Sequence, residues 1–196
     1  MRIIAGTHRS RPLKAPRTDA TRPTTDRARE TLFNMLVHQR ELTGLRILDL
    51  YAGTGALAFE SLSRGAASAV LVEHARAARE VAMENAKALG FEPVIELIPT
   101  TVQAFLDRRT PAPFDIIFAD PPYDLPGLSE LAGRLLHEGW LSADGILVLE
   151  HRSDTTPSVP DGAVVVRELK AGEAGFTMLR AASAASGDPV AHGGTF

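Results

Sequence analysis

A mostly parallel α/β sheet with helices on both faces is the fold that three features of this chain predict. Short apolar runs near 45–50, 68–73, 93–98, 114–119 and 145–150 alternate with helical patterns near 55–64, 75–89, 101–108 and 127–138. That rhythm calls for parallel strands joined by helical crossovers. The first run ends in the glycine turn Gly53-Thr54-Gly55, and the fourth ends in Asp120-Pro121-Pro122-Tyr123. Both turns lie at carboxyl ends of strands, where open α/β sheets bind ligands.

Taken in order, residues 1–23 read as extended. Arg2-Ile3-Ile4 and Arg11-Pro12-Leu13-Lys14 are candidate strands of a small hairpin. Thr24 or Thr25 caps a helix that carries Leu32, Phe33, Leu36 and Val37 on one face. The alternating core follows from Leu45. Two last runs, Ala163 to Glu168 and Phe176 to Leu179, flank a glycine-bearing turn and are expected to close a seven-stranded sheet as an antiparallel hairpin. Residues 181–196, rich in Ala, Ser and Gly, read as a disordered tail. The chain thus divides into a basic extension over 1–40, a main domain over 41–180 and the tail.

Composition narrows the function classes. A chain of 196 residues, 44% hydrophobic and 23% charged, is ordinary for one soluble domain with a sizeable core. No stretch approaches the ~20 apolar residues that cross a bilayer. The start is too short and too soon charged for a signal peptide, so a cytoplasmic location is expected. The absence of cysteine excludes disulfides, thiolate metal sites and cysteine nucleophiles. No His/Asp/Glu cluster has metal-ligand spacing, so no metal is expected. The net charge of −3 hides an asymmetry: residues 1–40 hold nine Lys/Arg against three Asp/Glu, and the remainder is acidic. Arg2, Arg9, Arg11, Arg22, Arg27 and Arg29 are therefore candidates for contact with nucleic-acid phosphates.

The two turns carry the chemistry. Two consecutive prolines fix φ near about −65° and remove two backbone donors. The residue ahead of them is pushed away from helix. The chain therefore leaves its strand rigidly, presenting the Asp120 carboxylate, outward carbonyls and the Tyr123 ring. Such a carboxylate and carbonyl accept hydrogens from an NH2 group while the ring stacks on the plane bearing it. At the other turn, Asp49-Leu50-Tyr51-Ala52-Gly53-Thr54-Gly55 lets backbone approach a ligand closely before a helix amino end. It lacks the full spacing of a dinucleotide binder and the lysine of a phosphate loop. Glu73, at the end of the next strand, is placed to take both ribose hydroxyls of an adenosyl ligand. His74 stands beside it.

Together these residues resemble a class I S-adenosylmethionine-dependent methyltransferase of the amino-methylating kind with a DPPY motif, a Rossmann-like fold. The amino end, Arg2-Ile3-Ile4-Ala5-Gly6 followed by Arg22-Pro23-Thr24-Thr25-Asp26-Arg27-Ala28-Arg29-Glu30, is similar to bacterial 16S rRNA guanine-N2 methyltransferases. The resemblance covers roughly residues 1–180. It implies S-adenosyl-L-methionine as cofactor, with Asp49, Tyr51, Gly53, Thr54, Gly55, Glu73, His74, Thr101 and Thr24 around it. It implies Asp120, Pro121, Pro122 and Tyr123 as the catalytic set, and 16S rRNA within an assembled or partly assembled 30S subunit as partner of a monomer. Relatives place a polar residue near the fourth helix to meet adenine; here Thr100-Thr101 stands there without an acid. The segment around Thr24 has two readings, a lid over the cofactor or a grip on RNA. Two alternatives stay open: an amino methyltransferase acting on adenine N6 or a protein glutamine, and a non-catalytic RNA-binding assembly factor.

Overall fold

A computed structural model gives the protein's structure and describes residues 1–15, 25–108, 112–122 and 127–182. Seven strands form one sheet. They are β1 (Arg46–Leu50), β2 (Ser68–Val72), β3 (Ile95–Ile98), β4 (Phe114–Ala119), β5 (Leu141–Arg152), β6 (Ala163–Ala171) and β7 (Ala174–Ala181). Their order is β3-β2-β1-β4-β5-β7-β6, parallel from β3 to β5, with β7 antiparallel to both β5 and β6. The expected mostly parallel seven-stranded sheet is the one observed.

Five described α-helices cover its faces: α1 (Asp26–Gln39), α2 (Ala56–Ser63), α3 (Arg76–Leu89), α4 (Val102–Leu106) and α5 (Leu128–His137). Alternate strand residues point to opposite sides, and the core divides accordingly. Ile47, Ile116, Phe118, Ile146 and Val148 pack with Leu32, Phe33 and Leu36 of α1, Phe59 of α2 and Ala86 of α3. Leu48, Leu50, Ile117, Leu147 and Leu149 pack with Phe105 of α4, Leu135 of α5 and Trp140. None of the helices is long and apolar enough to cross a membrane.

Boundaries shift where local chemistry overrides periodicity. Glu92–Val94 form a 3-10 turn around Pro93, so β3 starts only at Ile95. β5 begins at Leu141, well before the expected 145, because Leu141 pairs with Phe114 ahead of a bulge. The hairpin β6–β7 turns on two residues, Gly172 and Glu173, and Gly172 has φ 69°. β6 lies at one edge of the sheet, with Arg167, Glu168 and Lys170 exposed.

The amino-terminal hairpin is less than expected. Its two arms meet in a single antiparallel bridge, Arg2 with Pro12, supported by Ile3 N–H to Arg11 O and Leu13 N–H to Met1 O. Pro12 removes one donor and Ser10 sits at φ 68°, so no regular ladder develops. The segment is nonetheless part of the main core, which holds Ile3 and Leu13. Glu60 of α2, fully buried, accepts Ile4 N–H at 2.7 Å and Ala5 N–H at 3.1 Å while paired with Arg64 at 2.7 Å. Ser63 accepts His8 N–H and donates to Ala5 O. Of the disordered tail expected over 181–196, Ala181 belongs to β7, and residues 183–196 lie outside the described residues.

Gly6 makes this docking possible. It has φ 82°, and a Cβ there would lie 1.8 Å from the Ser63 carbonyl oxygen. We expect Gly6→Ala to lower stability by about 2 kcal/mol or more, since both overpacking and positive-φ strain act. Urea denaturation checks this, and an unchanged midpoint would show that the amino-terminal segment contributes nothing to the fold.

Candidate active site

The strand order reverses at β1, and the carboxyl ends of β1, β2 and β4 open on one crevice there. Three acids stand at these ends. Asp49 belongs to β1, Glu73 follows β2, and Asp120 follows β4 with its N–H toward Leu50 O at 3.5 Å.

β1 runs into a turn with three left-handed residues, Tyr51 (φ 59°), Gly53 (φ 54°) and Gly55 (φ 79°). Tyr51 is a non-glycine residue held in a conformation that costs about 1–3 kcal/mol, as is typical where function fixes a backbone. Gly55 starts α2, and a Cβ there would meet the Phe59 ring at 2.5 Å and Leu71 at 2.9 Å. The Asp49 carboxylate, 1% exposed, accepts Ala58 N–H at 3.1 Å and so ties β1 to the first turn of α2. Glu73 uses one oxygen for Gly53 N–H at 2.9 Å and the other for Ala75 N–H at 2.7 Å. Each carboxylate oxygen has a further lone pair for a ribose hydroxyl. The His74 ring lies 3.3 Å from Glu73 and is mostly exposed. Thr101 caps α4 by accepting Ala104 N–H at 3.2 Å, so its oxygen already serves the helix.

Burial raises two of these acids. It pushes the Asp49 carboxyl up to about 8, with the Asp120 and Glu73 charges adding to the effect and the Ala58 N–H opposing it. Burial likewise pushes Asp120 up to about 7. The crevice is thus an acid-rich, desolvated place in which a bound cation would favour the ionised carboxylates. That chemistry, with a glycine turn and a ribose acceptor in Glu73, fits the sulfonium and the ribose of S-adenosylmethionine.

Beyond Asp120, buried Pro121 and exposed Pro122 form one wall of a cleft of about 460 Å³. Its other walls are Gly127 to Glu130 at the start of α5, Glu150 to Arg152 at the end of β5, and Thr155 to Ser158. A volume of this order holds a small organic ligand. The cleft lies over β4 and β5, beside the crevice of β1 and β2.

A second groove, of about 470 Å³, gathers Arg2, Arg9 and Arg27 with Asp26 and Glu30. Three of the expected RNA-contacting arginines therefore share one surface. Arg11 is exposed, with one nitrogen donating to Ala88 O at 2.9 Å. Arg29 does not belong with them. Its side chain is 1% exposed and donates to Arg2 O at 2.6 Å and Asp26 at 2.9 Å, so it closes the amino-terminal segment over α1 and cannot reach a phosphate. Thr24, Arg22 and Tyr123 lie outside the described residues.

Comparison with known proteins gives the family and the fold. The family described as "Conserved hypothetical protein 95" matches residues 1–180. The chain belongs to this family. It is 35% identical over 181 residues to Ribosomal RNA small subunit methyltransferase D of Escherichia coli K12, covering 92% of this chain and 89% of that one. The protein of that name from Haemophilus influenzae is 31% identical over 185 residues, covering 92% and 93%. A solved Escherichia coli methyltransferase structure superposes with a TM-score of 0.80 at 34% identity, covering 92% of this chain and 97% of that one. The fold is that of class I methyltransferases, and the family is one of methyltransferases.

Sequence reasoning missed Asn85. Its side chain, buried in α3, donates to Thr54 O inside the glycine turn and to Lys14 O, and accepts Lys14 N–H. The available signal was an amide within the apolar stripe Ala82, Ala86, Leu89 of an amphipathic helix.

The raised carboxyls set a pH dependence. Between about 4 and the folded values near 7 and 8, the folded chain binds more protons at Asp120 and Asp49 than the unfolded chain does. Their contribution to stability is therefore full below about 4, falls as pH rises, and is gone above the folded values near 7 and 8. A bound sulfonium favours the ionised forms, so S-adenosylmethionine should release protons on binding at pH 7, and neutral S-adenosylhomocysteine fewer. Calorimetry in buffers of different ionisation enthalpy measures this; equal proton release for the two ligands would count against the crevice as the sulfonium site.

Proposed function

We propose that this chain transfers the methyl group of S-adenosyl-L-methionine to the exocyclic N2 amine of a guanine in 16S rRNA, within a 30S particle. The observation that carries this reading is the meeting of Asp120-Pro121-Pro122 with two neighbouring spaces. One is the acid-lined crevice with the glycine turn; the other is the cleft over β4 and β5. Relatives at 31–35% identity that are named for methylating small-subunit rRNA support the RNA class.

The cofactor supplies an electrophilic methyl carbon on a positively charged sulfur, which leaves as a neutral thioether. The chain's task is alignment and charge management. A guanine N2 lone pair is delocalised into the ring. Asp120 Oδ and the Pro121 carbonyl accept the two amine hydrogens and turn the lone pair toward the methyl carbon. As the N–C bond forms, the nitrogen becomes positive, and the Asp120 carboxylate stabilises that charge and is placed to take the proton. Its acidity near 7 suits both tasks. The base must leave its stack to enter, and Tyr123, next in the chain, is assigned to stack on it for about 1–3 kcal/mol. Arg2, Arg9 and Arg27 hold phosphates.

Asp120→Ala should lower kcat by at least about a hundredfold, as loss of a charge-stabilising group does, with affinity for neutral S-adenosylhomocysteine largely intact. Lost affinity by calorimetry would show that the assigned role is wrong. Arg27→Ala should reduce the slope of binding against salt by about one, and an unchanged slope removes Arg27 from the phosphate contacts. The deciding experiment uses tritiated S-adenosylmethionine with small subunits lacking their native methylations, followed by nucleoside chromatography. Label in N2-methylguanosine is expected. Label in N6-methyladenosine would overturn the target, and none would overturn the RNA class.

A further inference from the structure

The amino-terminal segment does not simply lie beside the cofactor turn; one side chain joins them. Asn85 accepts Lys14 N–H on Oδ1 at 2.8 Å and donates through Nδ2 to Lys14 O at 3.1 Å and to Thr54 O at 3.2 Å. The amide thus pairs with Lys14 as a neighbouring strand would, and reaches the carbonyl between the two glycines. The rest of the turn is organised around this bond. Ala58 N–H, four residues after Thr54, goes to Asp49 instead, and Gly53 N–H goes to Glu73.

The segment is fastened along the same helix on both sides of Asn85. Lys14 Nζ meets Glu84 at 2.8 Å, and Arg11 donates to Ala88 O at 2.9 Å. Those contacts are exposed, where ion pairs are worth little. Asn85 is 2% exposed, so its amide is costly to leave without these three partners.

We propose that Asn85 is a positioning residue that locks the glycine turn of the cofactor site to the basic amino-terminal segment. The turn's conformation and the segment's docking are then one equilibrium. Whatever holds one tightens the other, and the coupling is reciprocal. A substrate that grips the arginines of this segment would act on the Thr54 carbonyl of the cofactor turn through the Asn85 amide. The inference rests on Gly53 to Gly55 being the cofactor turn, as proposed above, and does not depend on which nucleotide is methylated.

The test uses S-adenosylhomocysteine alone, with no RNA. In the wild-type protein, binding should slow amide exchange at Lys14 together with Gly53 to Gly55, read by NMR. Protection of the turn with Lys14 unchanged would overturn the proposal. Asn85→Ala should weaken binding about tenfold by calorimetry, since it removes the partner of Lys14 N–H, Lys14 O and Thr54 O at once. Asn85→Asp, which sets an acceptor against two carbonyls, should weaken it at least as much. Lys14→Ala keeps the backbone bonds and should bind as the wild type does. A lower melting temperature in Asn85→Ala with unchanged affinity would make Asn85 merely structural and overturn the proposal. Failure of the wild type to bind the ligand would bring down the cofactor reading itself, a distinct outcome.

Discussion

Asp49 sits where β1 must do two incompatible things, fill the middle of a sheet and hold a carboxylate. The chain resolves this by giving the acid a helix amino end. The Asp49–Ala58 bond fixes the direction in which α2 leaves β1, and the turn between them has no freedom left. Three left-handed residues in five are tolerable only because both ends of the turn are clamped. Glu73 then clamps its middle from β2. The crevice is therefore built by acids that are costly to bury. A cationic ligand is the natural way to offset that cost.

On the other side of the reaction, rigidity comes from covalent structure. Asp120 leaves β4 between a buried strand and two prolines, so its carboxylate is aimed by the backbone. The division of labour follows the sheet. β1 and β2 carry the glycine turn and two of the acids, while β4 and β5 frame the neighbouring cleft. The amino-terminal segment, joined to α2 through Glu60 and Ser63 and to α3 through Asn85, packs from the helix side. A groove lined by Arg2, Arg9 and Arg27 is thereby built on the same body as the crevice.

Much of this was legible in the chain. Alternation gave the sheet and its helices, and the two turns announced themselves because glycine and proline act locally. What escaped depended on distant partners. Arg29 reads as one more arginine in a basic run, yet its guanidinium is consumed by the Arg2 carbonyl and Asp26 across the fold. The early start of β5 hides in Ser142-Ala143-Asp144-Gly145, which looks like a turn until Leu141 finds Phe114. The hairpin expected at the amino end shrank to one bridge because Pro12 and Ser10 interrupt its ladder, and side chains of α2 and α3 bond other backbone groups of the segment. Asn85 was invisible for the same reason, since nothing nearby in the chain reveals what an amide on an apolar stripe is bonded to.

The edge strand β6 has a meaning outside catalysis. A sheet that ends in an unpaired strand offers its backbone to any other strand in the cell, including that of a second copy. β6 presents Val164 and Val165 to solvent, and then Arg167, Glu168 and Lys170 in close succession. An approaching strand would have to strip water from those three charges to complete the ladder. The border of the sheet is thus policed by charge, which sets a desolvation cost on any strand that would lengthen it.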